Sequence, residues 1–181
     1  KILHKEYEIF GEVYKLERYE WHTDFRAKKS WPKVHISKIK YDKLGDDADK
    51  KVPWEMNTFH HFIPLALESL QTEEKLFVDE IEQQLTDWAK ENPYEIGINW
   101  VNSMECAIRA INWIYTYTLT EKDLNKETKK EWVKQLLLHG TFIRSNLEWS
   151  PAKENHYLTG IAGLFLLGLF FKNADTGKKW T

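Results

Sequence analysis

A single cysteine, Cys106, stands among 181 residues, so no internal disulfide can form and no cysteine-rich metal site exists. The chain has no glycine-rich phosphate loop, no GxSxG nucleophile elbow and no HExxH pair, which removes the commonest nucleotide, serine-hydrolase and zinc-peptidase signatures. His60 and His61 are adjacent and cannot share a helix face, so no metal is expected there. Neither charge sign dominates: 26 Lys and Arg against 28 Asp and Glu give a net charge of -2. No global field then recruits nucleic acid or an anionic membrane. The lysine run Lys122, Lys126, Lys129, Lys130 and Lys134 is interleaved with Glu121, Asp123, Glu127 and Glu131, the pattern of a solvated helix face. The longest apolar stretch, Ile161 to Phe171, falls short of the roughly 18 to 20 residues a membrane span needs. The opening KILHKEYEIFGEVYKLE has no apolar core of a signal peptide, so any secretory leader is expected to be gone already.

Aromatic residues are abundant. Nine Trp, eight Tyr and nine Phe make 14% of the chain, enough either for a densely packed helical core or for stacking platforms that hold sugar rings. Up to about Pro53 the pattern is irregular and reads as extended segments and loops wrapping another body. Helical periodicity then begins. Thr58 to Leu70 predicts a helix with Pro64 in its first turns. Thr72 is expected to cap a second helix through Phe77, Ile81, Leu85 and Trp88. Asn99 to about Thr118, Lys126 to Leu147 and Asn155 to Phe171 follow. The last is apolar nearly all round and is expected to lie buried between other helices, with Gly160, Gly163 and Gly168 admitting close approach. The expected class is all-α, built of antiparallel helix pairs, either as an ordinary bundle or as an arc of an α/α toroid. The expected organisation is an irregular segment, 1–53, packed on a helical body, 54–181.

Two constellations could carry chemistry. Asn102, Glu105, Arg109 and Asn112 follow at steps of three and four, so they share one side of a helix, and Glu105 and Arg109 have ion-pair spacing. The polar strip is either a packing seam or the wall of a groove. Asn155 and His156 open the last helix, where an Asn can cap and a His can be structural or functional.

Four ordered blocks then resemble the N-terminal part of the heparinase II/III-like polysaccharide lyases: Trp21, His22 and Asp24; DKKVPWEMN from Asp49 to Asn57; NPYEIGINWVNSMECAIRAINW from Asn92 to Trp113; and ENHYLTGIAGL from Glu154 to Leu164. The resemblance implies an incomplete α/α toroid preceded by the irregular segment, with the remaining toroid and a C-terminal β-sandwich lying outside this chain. It implies cleavage of an acidic, uronate-containing polysaccharide by β-elimination, or, alternatively, a non-catalytic toroid that holds glycan for assembly or export. No cofactor is implied, and the expected compartment is the periplasm or the exterior. By residue it implies Asn155 as the group that neutralises the uronate carboxylate and His156 in support. Trp54, Glu55, Asn99, Trp100, Asn102, Glu105 and Arg109 would line or support the groove, with tryptophan faces available to sugar rings. The catalytic Tyr and a second His would come from later segments. Thr58 and Glu154 stand where relatives commonly carry Arg and Asn, which favours a non-sulfated uronate polymer or a capsule-type glycan.

Overall fold

The computed structural model describes residues 1–40, 47–149 and 155–180. In the N-terminal segment a hairpin pairs β1 (Glu6–Ile9) with β2 (Glu12–Lys15), and a second, smaller one pairs β3 (Thr23–Asp24) with β4 (Lys29–Ser30). The first turn contains Phe10 and Gly11, both at positive φ, a backbone that Gly adopts at no steric cost. The alternation of buried Tyr7 and Ile9 marks a strand with one buried face, one of the extended segments expected there.

Helix α1 (Lys51–Asn57) follows, with Pro53 in its first turn, where a missing N–H costs nothing. The 53/54 boundary expected from sequence falls inside it. Asn57 and Thr58 end this helix, and α2 begins only at Phe62 (Phe62–Thr72), after Phe59 takes a left-handed φ of 57°. The helix expected from Thr58 to Leu70 thus starts four residues later, with Pro64 in its first turn, and α1 precedes it where no helix was expected. Thr72 does not cap α3. It is the last residue of α2, its hydroxyl donating to the Glu68 carbonyl, while Glu73 in the left-handed region breaks the chain and α3 (Lys75–Glu91) starts two residues on.

Helices α4 (Ser103–Thr120), α5 (Lys126–Ser145) and α6 (Asn155–Phe170) complete the frame, with the short α7 (Asp175–Lys178) after them. Asn102 and Asn125 cap α4 and α5 through their side-chain oxygens, each satisfying N–H groups the first turn leaves open. The packing is two-layered. α2, α4 and α6 lie side by side in one row, and α3 and α5 pack behind them, the arrangement of an α/α toroid arc built from helical hairpins. Where α6 crosses α4, a Cβ added at Gly163 would sit 2.7 Å from the Ala107 Cβ, so the glycine sets the approach. The opposite side of α6 is open. Leu158, Ile161, Phe165 and Leu169 are exposed at steps of three and four, which corrects the expectation of a fully buried helix: only one flank has neighbours among the described residues.

One core joins both parts of the chain. Tyr7, Ile9 and Trp21 of the N-terminal segment pack in the same cluster as Phe59, Trp88, Trp100, Trp113 and Trp132, so most of the aromatic excess is core.

Candidate functional site

Beneath the site lies a buried polar frame centred on Arg109, which is 1% exposed. Its Nε donates to His139 Nε2 at 2.8 Å, Nη1 to the Asn57 carbonyl at 3.2 Å and Nη2 to the Asn99 carbonyl at 2.8 Å. The guanidinium lies 4.5 Å from the centre of the Trp88 ring, a cation–π contact strengthened by exclusion of water. The Glu105–Arg109 ion pair that the spacing allows does not form. Every donor of Arg109 that has a partner reaches a neutral group instead.

His139 Nδ1 donates to the Gln135 carbonyl at 2.7 Å, which leaves Nε2 bare to accept from the arginine. Burial, and then the charge of Arg109, holds its pKa well below the ordinary histidine value. Four buried asparagine side chains tie loops to this frame. Asn57 Nδ2 donates to the Trp21 and Pro53 carbonyls and its Oδ1 accepts from Trp88 Nε1 at 2.6 Å. Asn99 donates to the Trp21 carbonyl and to Asn92 Oδ1, both at 2.8 Å, and Asn112 donates to the Thr58 carbonyl at 2.7 Å. Such amides satisfy backbone groups that irregular segments would otherwise bury unpaired.

Above the frame opens a cleft of about 700 Å³. Its floor is the N-terminal turn of α4, with Asn102, Ser103, Met104 and Glu105. One wall is α1, with Lys50, Lys51, Trp54 and Glu55. The other comes from the end of α5 and the start of α6, with Asn146, Leu147, Glu148 and His156. Trp54 is held by its Nε1, which donates to the Ile98 carbonyl at 3.0 Å. The residue is 8% exposed and packs with Trp31, Ile39 and Ile98, so only a margin of it reaches the cleft, and the Lys50 ammonium lies 5.7 Å from the ring centre. The Asn102 side chain accepts from the N–H groups of Met104 and Glu105, so it serves the helix end as well as lining the cleft. Glu105 is half-buried. Burial raises its pKa above the ordinary carboxylate value, opposed by Arg109, reinforced by Glu55 and opposed again by His156. His156 Nδ1 lies 2.7 Å from Glu148 Oε2.

The sequence-predicted residues thus divide. Trp54, Glu55, Asn102, Glu105 and His156 share the cleft. Asn99, Trp100 and Arg109 lie buried beneath it; Trp100 is fully enclosed, between Trp88, Tyr94, Phe142 and His139. Its face is not available to a sugar ring, which corrects that expectation and leaves it a supporting role. Asn155 is exposed on the first turn of α6, next to His156 but outside the lining of the cleft. Thr58 is buried, its hydroxyl donating to the Glu55 carbonyl at 2.6 Å, so it closes α1 and does not face the cleft. Glu154 lies outside the described residues. Sequence reasoning missed Glu148, Ser103 and the two lysines. Glu148 sits in an irregular stretch after α5 with no periodicity to flag it, whereas Ser103 could have been found as the residue after an Asn N-cap.

An all-α arc of helical hairpins, presenting a polar cleft where helix ends converge, is the class this architecture defines. The family model described as Heparinase II/III N-terminus matches residues 6–181, and the chain belongs to that family. No curated protein and no solved structure matches it. No helix among the described residues is long and apolar enough to cross a membrane, and no group of three or more His, Cys, Asp or Glu among them could hold a metal ion.

Proposed function

We propose that this chain is the first part of a polysaccharide lyase that cleaves a uronic-acid glycan by β-elimination, outside the cytoplasm. The observation that carries the reading is the convergence of α1, α4 and the start of α6 on one cleft that holds Trp54, Glu55, Asn102, Glu105 and His156. Family membership over nearly the whole chain supports the same chemistry.

The reaction explains what such a cleft must supply. The C5–H bond of a uronate breaks, its proton passes to a base, the electron pair forms the C4=C5 double bond, and the C4–O bond breaks as the departing oxygen takes a proton. An ionised carboxylate at C5 opposes that step, so the site must donate to it and hold the charge that develops. The Asn155 amide is assigned this contact, with His156 in support. Lys50 and Lys51 on the α1 wall bring positive charge to a polyanion. The edge of Trp54 offers an apolar surface to a sugar ring. Asn99, Trp100 and Arg109 act from below by fixing the loop that leads into α4. The base and the proton donor to the leaving oxygen, a Tyr and a second His, are assigned to later segments of the complete protein, together with the rest of the toroid and a β-sandwich.

The test is the near-ultraviolet absorbance of an unsaturated uronate end, followed with the complete protein on a panel of uronate polysaccharides. Wild type should raise it and Asn155→Ala should not, with the mutant still folded. Full activity in Asn155→Ala would overturn the assignment.

One observation favours a second reading, a toroid that holds glycan without cutting it. Glu55, Glu105 and Glu148 all face the cleft, and three carboxylates oppose a dense polyanion. Binding of a sparsely charged glycan with no absorbance change would select that reading.

A further inference from the structure

The geometry points to Glu148 as a positioning residue that fixes which nitrogen of His156 is offered to the substrate. This rests on the lyase reading for its consequence, although the arrangement itself stands in the free protein. Glu148 and His156 come from opposite sides of the connection between α5 and α6, and both line the cleft. The Glu148 Oε2 to His156 Nδ1 distance is 2.7 Å, that of a charge-assisted hydrogen bond. An ionised carboxylate can only accept, so Nδ1 must carry the proton. In the neutral ring that leaves Nε2 unprotonated, as the acceptor.

The carboxylate is itself tethered. Its other oxygen, Oε1, is 3.5 Å from the hydroxyl of Ser103, a residue buried at the first turn of α4. The Asn102 cap holds that turn. A chain of contacts therefore runs from the capped end of α4 through Ser103 and Glu148 to the imidazole, and it favours one ring orientation in the cleft. The other ionisable groups on the cleft are Glu105 on α4 and Glu55, Lys50 and Lys51 on the α1 wall. Glu105, Glu55 and Lys51 make no hydrogen bond to the ring among the described residues.

The test is the tautomer of His156, read by nitrogen NMR of the imidazole at neutral pH in the protein without substrate, with His156→Gln used to assign the signal. Wild type should show the proton on Nδ1. Glu148→Ala should lose that preference, and Glu148→Gln, which keeps an acceptor oxygen, should retain it. A proton on Nε2 in wild type, or a tautomer indifferent to Glu148→Ala, overturns the proposal. Activity of the complete protein gives the second readout. In a buried protease triad, replacing the carboxylate that orients the histidine costs about 10⁴ in kcat. Glu148 is 43% exposed, so a smaller fall in kcat, on the order of tenfold for Glu148→Ala with little change in KM, is expected. An unchanged kcat beside the predicted tautomer shift overturns the positioning role. Absence of any wild-type activity would count against the lyase reading alone and leave the tautomer result to decide the dyad.

Discussion

Replacing Arg109 with Met tests whether this residue is the keystone of a buried frame or one half of a surface pair. Met keeps much of the volume but removes the three donors to His139, Asn57 and Asn99. The His139 nitrogen and the Asn57 carbonyl are left buried without a donor, at about 1–3 kcal/mol each. The Asn99 carbonyl keeps only a thiol contact at 3.6 Å from Cys106. Loss of the cation over Trp88 adds about 1–2 kcal/mol. Releasing the guanidinium from a desolvated site returns part of this, and the net expected loss is about 4 kcal/mol. An exposed helix pair at the same spacing would be worth only about 0.3–0.5 kcal/mol. Urea unfolding followed by tryptophan fluorescence reads the difference, and Arg109→Lys, which cannot fork to three acceptors, should fall between. A loss below about 1 kcal/mol in Arg109→Met would refute the reasoning.

Acid should destabilise the fold through buried histidines. Burial lowers His22 to about 4 and holds His139 well below its ordinary value. The unfolded chain therefore takes up protons below about pH 6.5 that the native chain refuses, and the two sites together remove up to about 2.7 kcal/mol per pH unit on acidification; equal urea midpoints at pH 7 and pH 5 would contradict this. Glu105 has the opposite linkage. Its raised pKa means the native state holds a proton where the unfolded chain has lost it, so stability falls as pH rises through the folded value, from the ordinary 4.5 upward. Glu105→Gln should accordingly raise the melting temperature at neutral pH and raise it less near pH 4; a pH-independent effect would rule out this account. Gly97→Ala places a methyl group into the His22 ring at a backbone φ of +90°, and a cost of about 2 kcal/mol or more is expected. Calorimetry that finds the variant as stable as wild type would dismiss the clash.

Much of the fold was legible because helical period depends only on spacing. The helices read from Phe77 to Trp88, and those starting near Asn99, Lys126 and Asn155, all stand within a few residues of where the pattern puts them. Errors arose where a single backbone angle decides the outcome. The left-handed Phe59 moves the start of α2 past the expected Thr58, and the left-handed Glu73 ends α2 after Thr72, which had been expected to open the next helix; neither is a residue type that favours that region. The site was legible only in part. Identity and spacing place Glu105 and Arg109 one turn apart, yet nothing local says that Arg109 points into the core toward His139, 30 residues on. Trp100 and Trp54 are both tryptophans beside polar neighbours. Only the packing of Tyr94, Phe142 and His139 around the first, against a small exposed margin at the cleft for the second, separates scaffold from lining.

The most direct test of the central claim is the origin of the oxygen in the product. The complete protein is incubated with a uronate polysaccharide in water enriched in heavy oxygen, and the fragments are weighed by mass spectrometry. Elimination transfers no water to either fragment, so the account predicts no label taken up during cleavage, and the fragment that begins with the unsaturated uronate is lighter by one water than its hydrolytic counterpart. Fragments that carry one heavy oxygen for each bond broken would mean hydrolysis, and would contradict it.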